Sequence, residues 1–494
     1  MLPLSVFGTM LVLLMYVARA ATKPRIFILT DIANEPDDQM SLVRFLLYSN
    51  QFEVAGICAT TSVWLNNETH AEQIFSVLEA YADIYQNLSV HQPDTEDPWP
   101  TFKELSSKTY AGQPLYGLSA VGEGKSSNGS DALLRTIDEN DNPTWVTIWG
   151  GANVLAQAVF QYEQNHTQEE IEHFVSKLRV YSISDQDNAG PSLRLRHPQI
   201  FWIASLTAMN IYNDAIWTGI SGDVFYSFDV GGPNTSLVTN DWLQTNIRDV
   251  SSFGSAYPEF AFIMEGDTPS FLYLIQNGLS VPEHPTWGSW GGRYGRFSNL
   301  THLYVNTVDV DVPGQNSTAE YTSPQSTVWR WRNAYQWDFS GRMRWTSTNE
   351  FAAVNHNPVV VVNGSKVVAE PLYLNVTPGE TVILDASDSY DPDSNQTAGA
   401  KSSSFSSVRF WQYLEPSASQ GQTSSAPALE INQVGSNGLA AIVNVPDAED
   451  IPSAWIQGLG TNYQDRTLQV IVEVWDNGVP SLVGYKRVVL DVMV

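Results

Sequence analysis

Three aspartates stand close together near the start of the chain, Asp31, Asp37 and Asp38, and the residue types suit hard-cation chemistry. Carboxylate oxygens of this kind hold Ca²⁺ or Mg²⁺. The same spacing also suits a plainer role, in which Asp37 and Asp38 cap a helix start and complement its positive end. Further polar clusters recur along the chain: Thr60-Thr61 with Asn66, Gly150-Gly151-Ala152-Asn153, Ser184 to Gly190 with Asp185, Asp187 and Asn188, and Glu265-Gly266-Asp267. A later segment gathers His284, Trp287, Trp290 and Arg293, side chains able to stack on or hydrogen-bond a sugar. A loop histidine such as His284 can protonate a leaving group or simply face solvent.

The elements that must position these residues follow from the apolar pattern. Ile26 to Leu29 reads as a buried strand ending in Thr30-Asp31, and Met40, Val43 and Leu47 follow helical spacing just after Asp37-Asp38. Val54 to Thr60, Trp145 to Trp149 and Leu178 to Ile183 read as further strands, and Phe260 to Met264 as another that ends in the acidic cluster Glu265-Gly266-Asp267. Ile74, Val77, Leu78 and Tyr81 mark one helix, and Val154, Leu155, Ala158 and Val159 a second. Pro93 to Asn128, rich in Pro, Gly and Ser, reads as surface loop. Alternating strands and helices predict a mainly parallel open sheet covered by helices, with every polar cluster at a strand end. In such sheets ligands bind beyond the carboxyl ends of the strands.

The texture changes near Asn355-His-Asn-Pro358. Short alternating stretches, Thr381 to Leu384, Ala440 to Val443 and Thr467 to Val474, predict an all-β immunoglobulin-like sandwich over 351–494, following an α/β domain over 21–350. Asp385, Asp388, Asp391 and Asp393 could hold a structural Ca²⁺ or form a solvated turn. The Ser-rich stretches at 401–407 and 417–425 read as loops.

The apolar run Leu11 to Val17 is too short to span a bilayer and precedes Ala18-Arg-Ala20, so residues 1–20 are expected to be a secretory leader. Ten Asn-x-Ser/Thr tripeptides, at Asn67, Asn87, Asn128, Asn165, Asn234, Asn299, Asn316, Asn363, Asn375 and Asn395, fit a secreted glycoprotein. The single cysteine, Cys58, excludes an intrachain disulfide and is expected to be a buried hydrophobe. With 53 acidic against 25 basic side chains the formal charge is −28, which disfavours nucleic acid and anionic membranes as partners. Sixteen tryptophans leave flat apolar faces, mostly for the core but some available to stack on sugars.

Thr30-Asp31 with Asp37-Asp38, Thr60-Thr61, Asn66, Gly150 to Asn153 and Glu265-Gly266-Asp267 together resemble the inosine-uridine nucleoside hydrolase superfamily. More closely, Ser184-Asp-Gln-Asp187, Met264 to Ser270 and Trp287 to Tyr294 are similar to a family described as cellulose-binding proteins with a nucleoside hydrolase-like domain, whose members also carry a C-terminal β-sandwich. The resemblance implies a Ca²⁺ held by Asp31, Asp38 and Asp267, with Asp31 also the general base and Asp37 on sugar hydroxyls. Asn66, Asn153, Asp187, Trp290 and Arg293 are the expected substrate contacts. It departs from that pattern in the loop between Asp31 and Asp37, which contains Glu35 and Pro36. The expected function is a secreted Ca²⁺-dependent hydrolase of N- or O-glycosidic bonds in a sugar-containing small molecule or polysaccharide. The alternative is a non-catalytic protein that binds cellulose or another cell-wall polysaccharide.

Overall fold

The computed structural model describes residues 23–92, 98–207, 211–222, 235–313, 320–394, 404–418, 426–435, 437–452, 455 and 467–493. The expected leader lies outside them, as do the acceptors Asn234, Asn316 and Asn395.

The first half is built on an eight-stranded sheet. Its strands are β1 (Arg25–Thr30), β2 (Glu53–Ala59), β3 (Thr109–Ala111), β4 (Thr144–Ile148), β5 (Leu178–Ser182), β6 (Phe201–Ala204), β7 (Tyr294–Arg296) and β8 (Leu303–Asn306), in the order β3-β2-β1-β4-β5-β6-β8-β7. All neighbours run parallel except the edge pair β7 and β8. Because a parallel sheet is covered on both faces, its strands are apolar throughout. In β1 the two-residue period sorts Ile26 and Ile28 into one core, with Phe27 and Leu29 in the other.

Helices α1 (Pro36–Leu46) and α2 (Ala71–Val90) feed the first core, joined by the long helix Arg332–Trp345. The helix α3 (Phe102–Ser107) adds Leu105 to it. The second core takes α4 (Asn128–Asp138), α5 (Asn153–Glu163), α6 (Gln168–Ser176) and α7 (Ala189–Arg196). Cys58 is buried in this second core, as expected of a small hydrophobe. The strand order reverses between β1 and β4, which opens a crevice at their carboxyl ends.

Two readings of this half are corrected. The stretch 93–128 is not all loop: α3 is started by Thr101, whose hydroxyl accepts the Glu104 N–H while Glu104 reaches back to the Thr101 N–H, and β3 follows at once. Phe260 to Met264 forms no strand; the ladder position beyond β6 belongs to β8, and Phe262 stays exposed.

After the pair β9 (Asp309–Pro313) and β10 (Glu320–Ser323) comes the second half. Its strands are β11 (Leu372–Val376), β12 (Thr381–Asp385), β13 (Phe405–Tyr413), β14 (Glu430–Val434), β15 (Ala440–Asn444), β16 (Thr467–Asp476) and β17 (Val483–Val492). They form sheets β11-β17-β16-β13 and β12-β15-β14. Between them lies a core of Val376, Leu384, Val443, Leu468, Val470, Val488 and Leu490, a sandwich as expected. Of the Ser-rich stretches expected as loops, 405–407 belong to β13, which corrects that reading; Ser417 ends a short helical turn, and 401–403 and 419–425 lie outside the described residues. Asp385, Asp388, Asp391 and Asp393 do not converge on an ion position: Asp385 accepts the Ser387 N–H and Asp393 pairs with His356.

The halves meet along a polar seam. Arg487 of β17 donates to the carbonyls of Leu279 (2.9 Å) and Gly288 (2.7 Å). Asp309, fully buried, accepts from Arg293 (2.6 Å), Arg330 (2.5 Å) and the Tyr413 hydroxyl (2.8 Å). Burial pushes its carboxyl up, but the two guanidiniums outweigh that and hold it below its ordinary value. In the connecting segment, Asn357 donates to Asp338 (2.6 Å) in the first half and to the Val483 carbonyl (3.1 Å) in the second.

Candidate active site

The crevice between β1 and β4 collects carboxylates from three segments. Asp31 is the first residue past β1 and is 3% exposed. Its Oδ2 accepts the Ser62 hydroxyl at 2.5 Å. The Ser62 Oγ in turn accepts the backbone N–H groups of Trp64 (3.0 Å) and Leu65 (3.1 Å), so its one proton is committed to Asp31. The other Asp31 oxygen lies over Gly150, where an added Cβ would stand 2.7 Å from it. The glycines after β4 therefore make room for the protein's own carboxylates: a Cβ at Gly151 would meet Asp187.

The residues between Asp31 and Asp37 form a turn, closed by the Asn34 N–H on the Asp31 carbonyl, with Ala33 at φ 86°. Pro36 then occupies the first turn of α1, where its fixed φ suits the helix and its missing N–H costs nothing. The inserted Glu35 and Pro36 thus start α1 and bring Asp37 and Asp38 to the crevice. Asp38 is buried and accepts the Thr30 hydroxyl; Asp37 is half-buried.

Asp267 arrives from the far side. Glu265, held at φ 56°, forms a fully buried ion pair with Arg44 (2.7 Å) and accepts the Tyr257 hydroxyl (2.5 Å). Gly266 follows, and a Cβ there would lie 2.9 Å from Asp37 Oδ2. Asp37, Asp38 and Asp267 bring carboxylate oxygens within 4.8 Å of one another. Asp37, expected on sugar hydroxyls, is drawn into this trio, and Asp31 stands beside it on Ser62.

The electrostatics are those of an unneutralised acidic site. Burial, set against the Ser62 hydrogen bond, raises Asp31 to about 6. Burial, then Glu35 and Asp31, raises Asp37 to about 8. Asp38 and Asp267 lie well above the ordinary carboxylate range, first by burial and then by the neighbouring aspartates. Asp267 Oδ2 is buried and has no hydrogen-bond partner among the described residues. An orphaned carboxylate oxygen among acidic neighbours, with an all-oxygen donor set, fits a hard divalent cation.

The other expected residues have different surroundings. Asn153 is buried and saturated: its Oδ1 accepts the Thr60 hydroxyl, and its amide donates to Thr61 (3.0 Å) and the Leu115 carbonyl (3.1 Å). Asp187 accepts the N–H groups of Asn153, Ala189 and Gly190, so it ties the starts of α5 and α7 together; burial raises it to about 6. Both organise the crevice wall through hydrogen bonds within the protein. Asn66 is exposed on the loop after β2. Asp185 pairs with Arg194, and Asn188 accepts the Leu118 N–H.

Trp290, Arg293 and His284 belong to the seam with the sandwich. Trp290 is 1% exposed, edge-on to Tyr485, and Arg293 is committed to Asp309. The His284 ring stacks on Trp287 at 4.1 Å, and Trp287 faces Tyr373 and Arg487. Trp290 and Arg293, expected on substrate, are instead buried in this seam, while His284 is half-buried.

Residues not singled out from the sequence complete the site. Tyr212 follows β6, and burial, with Asp31, Glu35 and Asp267 close by, raises its hydroxyl to about 12 against a hydrogen bond from Trp64. Its ring meets Trp217 edge-on at 5.0 Å, and Trp217 lies 3.4 Å from the Cβ position of Gly266. Ser62 and Trp64 directly follow Thr60-Thr61 at the end of β2, a placement the sequence does show.

Residues 25–294 match the family "Cellulose-binding Sde182, nucleoside hydrolase-like domain", more than half of the chain. The chain belongs to this family. Residues 381–492 match the C-terminal domain of the same cellulose-binding protein. A nucleoside hydrolase-related protein of Saccharophagus degradans, described as associated with carbohydrate metabolism, is 30% identical over 96% of this chain and 100% of its own, with a TM-score of 0.73. The chain thus shares both halves with that structure. An inosine-uridine preferring nucleoside hydrolase of Bacillus anthracis is 12% identical over 65% of this chain and 99% of its own, at a TM-score of 0.32, too loose a likeness to add to the argument. None of the curated proteins matches the chain.

Proposed function

We propose that the chain is an extracellular hydrolase of glycosidic bonds with a divalent cation, Ca²⁺ by preference, in the β1–β4 crevice. The observation that carries this reading is the gathering of Asp31, Asp37, Asp38 and Asp267 at the strand-order reversal, with Asp267 Oδ2 buried and left without a partner among the described residues. Asp37, Asp38 and Asp267 would hold the cation, with Asp31 adjoining. A cation so held lowers the pKa of a bound water. Asp31 then takes a proton from the attacking water; its Oδ2 is fixed as an acceptor by Ser62, which leaves the oxygen over Gly150 to receive it. The concentrated negative charge favours the positive, oxocarbenium-like centre that develops at the anomeric carbon. The expected leader at residues 1–20 and the Asn-x-Ser/Thr acceptors support an extracellular setting. No helix among the described residues is long and apolar enough to cross a membrane.

A second reading, carbohydrate binding without turnover, draws on the family's description as cellulose-binding. The two separate in one experiment. The protein with Ca²⁺ is assayed against nitrophenyl glycosides, nucleosides and cello-oligosaccharides beside Asp31→Asn. The hydrolase reading expects turnover of at least one class and a loss of roughly 10²–10⁴-fold in the variant, the range for removing a general base, with binding retained. Binding without turnover in the parent leaves the second reading standing.

A further inference from the structure

We propose that Arg44 and Glu265 are positioning residues for the cation: their buried ion pair fastens the helix that carries Asp37 and Asp38 to the turn that carries Asp267. The proposal rests on the cation reading of the crevice and names what sets the affinity of that site. Along α1, Asp37, Ser41 and Arg44 fall at i, i+4 and i+7, so they share one face over two turns. Every member of that row meets the segment 265–268. The Cβ position of Gly266 lies 2.9 Å from Asp37 Oδ2, Thr268 donates its hydroxyl to Ser41 at 3.0 Å, and Arg44 pairs with Glu265 at 2.7 Å.

The segment is itself a closed turn, its Thr268 N–H donating to the Glu265 carbonyl at 3.1 Å. Asp267 stands inside it, and each end of the turn is tied to α1, Glu265 through Arg44 and Thr268 through Ser41. All four of those side chains are fully buried. Glu265 keeps a φ of 56°, a conformation that persists in a residue with a side chain only where its surroundings hold it. Here Arg44 and the Tyr257 hydroxyl (2.5 Å) grip the carboxylate from two sides.

The fastening has a force to oppose. Asp37 and Asp38 on α1 and Asp267 on the turn bring carboxylate oxygens within 4.8 Å, like charges that push the two segments apart until a cation joins them. Arg44 supplies no counter-charge for them, because Glu265 neutralises it; the rest of its fork goes to Gln336 (2.9 Å) and the Tyr335 carbonyl in the helix Arg332–Trp345. The pair therefore acts by geometry. It keeps the ligand oxygens gathered before the ion arrives, so less of the binding free energy goes into gathering them.

The test is a Ca²⁺ titration by isothermal calorimetry, with the Tm of the metal-free protein measured beside it. The main variant combines Arg44→Met with Glu265→Gln, which removes both charges together and keeps an acceptor for the Tyr257 hydroxyl; replacing a buried ion pair in this way is often neutral or stabilising. The Kd for Ca²⁺ is expected to rise about tenfold or more, the scale of loss when groups that orient metal ligands are removed, with the metal-free Tm held or raised. A pair that only stabilises the fold gives the opposite split, a lower Tm with Kd unmoved, and that result overturns the proposal. Thr268→Val removes the hydroxyl at the other end of the turn, keeps its shape, and decides the matter should the double variant not fold: Kd rises a few-fold if the turn is fastened to α1, and an unchanged Kd overturns the proposal. A parent protein that takes up no Ca²⁺ defeats the cation reading and the fastening with it. Uptake by the parent with a Kd indifferent to both changes defeats the fastening alone.

Discussion

The Ser62 hydroxyl has one proton and two acceptor positions, and both acceptor positions are taken by backbone N–H groups. Ser62→Ala therefore strips Asp31 of the only side-chain donor it has among the described residues and leaves Oδ2 buried without it, a cost of about 1–3 kcal/mol. A drop in kcat with KM held is expected, rescued by Ser62→Thr; an unchanged kcat would show that Asp31 needs no such support. A second outcome at this scale concerns pH. In the metal-free protein Asp31 and Asp37 keep protons up to about pH 6 and 8, whereas in the unfolded chain they release them near pH 4. Across that window the folded state binds more protons than the unfolded one, so stability falls as pH rises. A bound cation displaces those protons and removes the loss, so Ca²⁺ is expected to raise Tm more at pH 8 than at pH 5. An equal rise at both would place the ion elsewhere. The acidic residues were readable because carboxylates at strand ends are few and chemically distinctive. Ser62, Trp64 and Tyr212 were not, because hydroxyl and aromatic residues are common and their convergence depends on the paths of two loops.

At the level of elements, the site is made by strands that stop at one edge and by glycines that let side chains close over them. Gly266→Ala sets a methyl group 2.9 Å from Asp37 Oδ2, 3.3 Å from Ile263 and 3.4 Å from Trp217, so the Asp37 carboxylate must shift within the trio while the sheet stays intact. The expected result is Ca²⁺ affinity weakened at least about tenfold, equivalent to 1.4 kcal/mol, with an unaltered far-ultraviolet spectrum. Retained affinity would remove Asp37 from the cation site. The central strands β1, β2, β4 and β5 were legible as apolar runs because burial on both faces leaves little room for polar residues. A six-residue helix and a three-residue strand, α3 and β3, are too short to show a period. The run 260–264 misled for the opposite reason: it is apolar and ends in acid, yet β8, half-buried and mixed in sequence, takes the place beside β6.

Taken whole, the molecule is two cores joined by buried polar contacts. Asp309→Ala leaves Arg293 and Arg330 facing each other without their shared carboxylate, which is expected to destabilise the protein by about 3–5 kcal/mol in urea unfolding. A loss below 1 kcal/mol would mean that the seam is not a structural joint. This joint also explains why Trp290 and Arg293 looked like substrate contacts. An aromatic and a cation in a glycine-rich loop serve a sugar site and a buried interface equally well, and the choice is made by a sandwich whose residues lie more than a hundred positions further on.

Arg487 reaches across this joint to the main-chain carbonyls of Leu279 and Gly288, groups whose chemistry does not depend on which side chain is attached. The contact therefore depends on the path of that loop more than on the side chains at its two acceptors, whereas Arg487→Lys offers a single point where a fork must span both. A sandwich borrowed from an unrelated protein would arrive without this guanidinium and without the Tyr413 hydroxyl that meets Asp309.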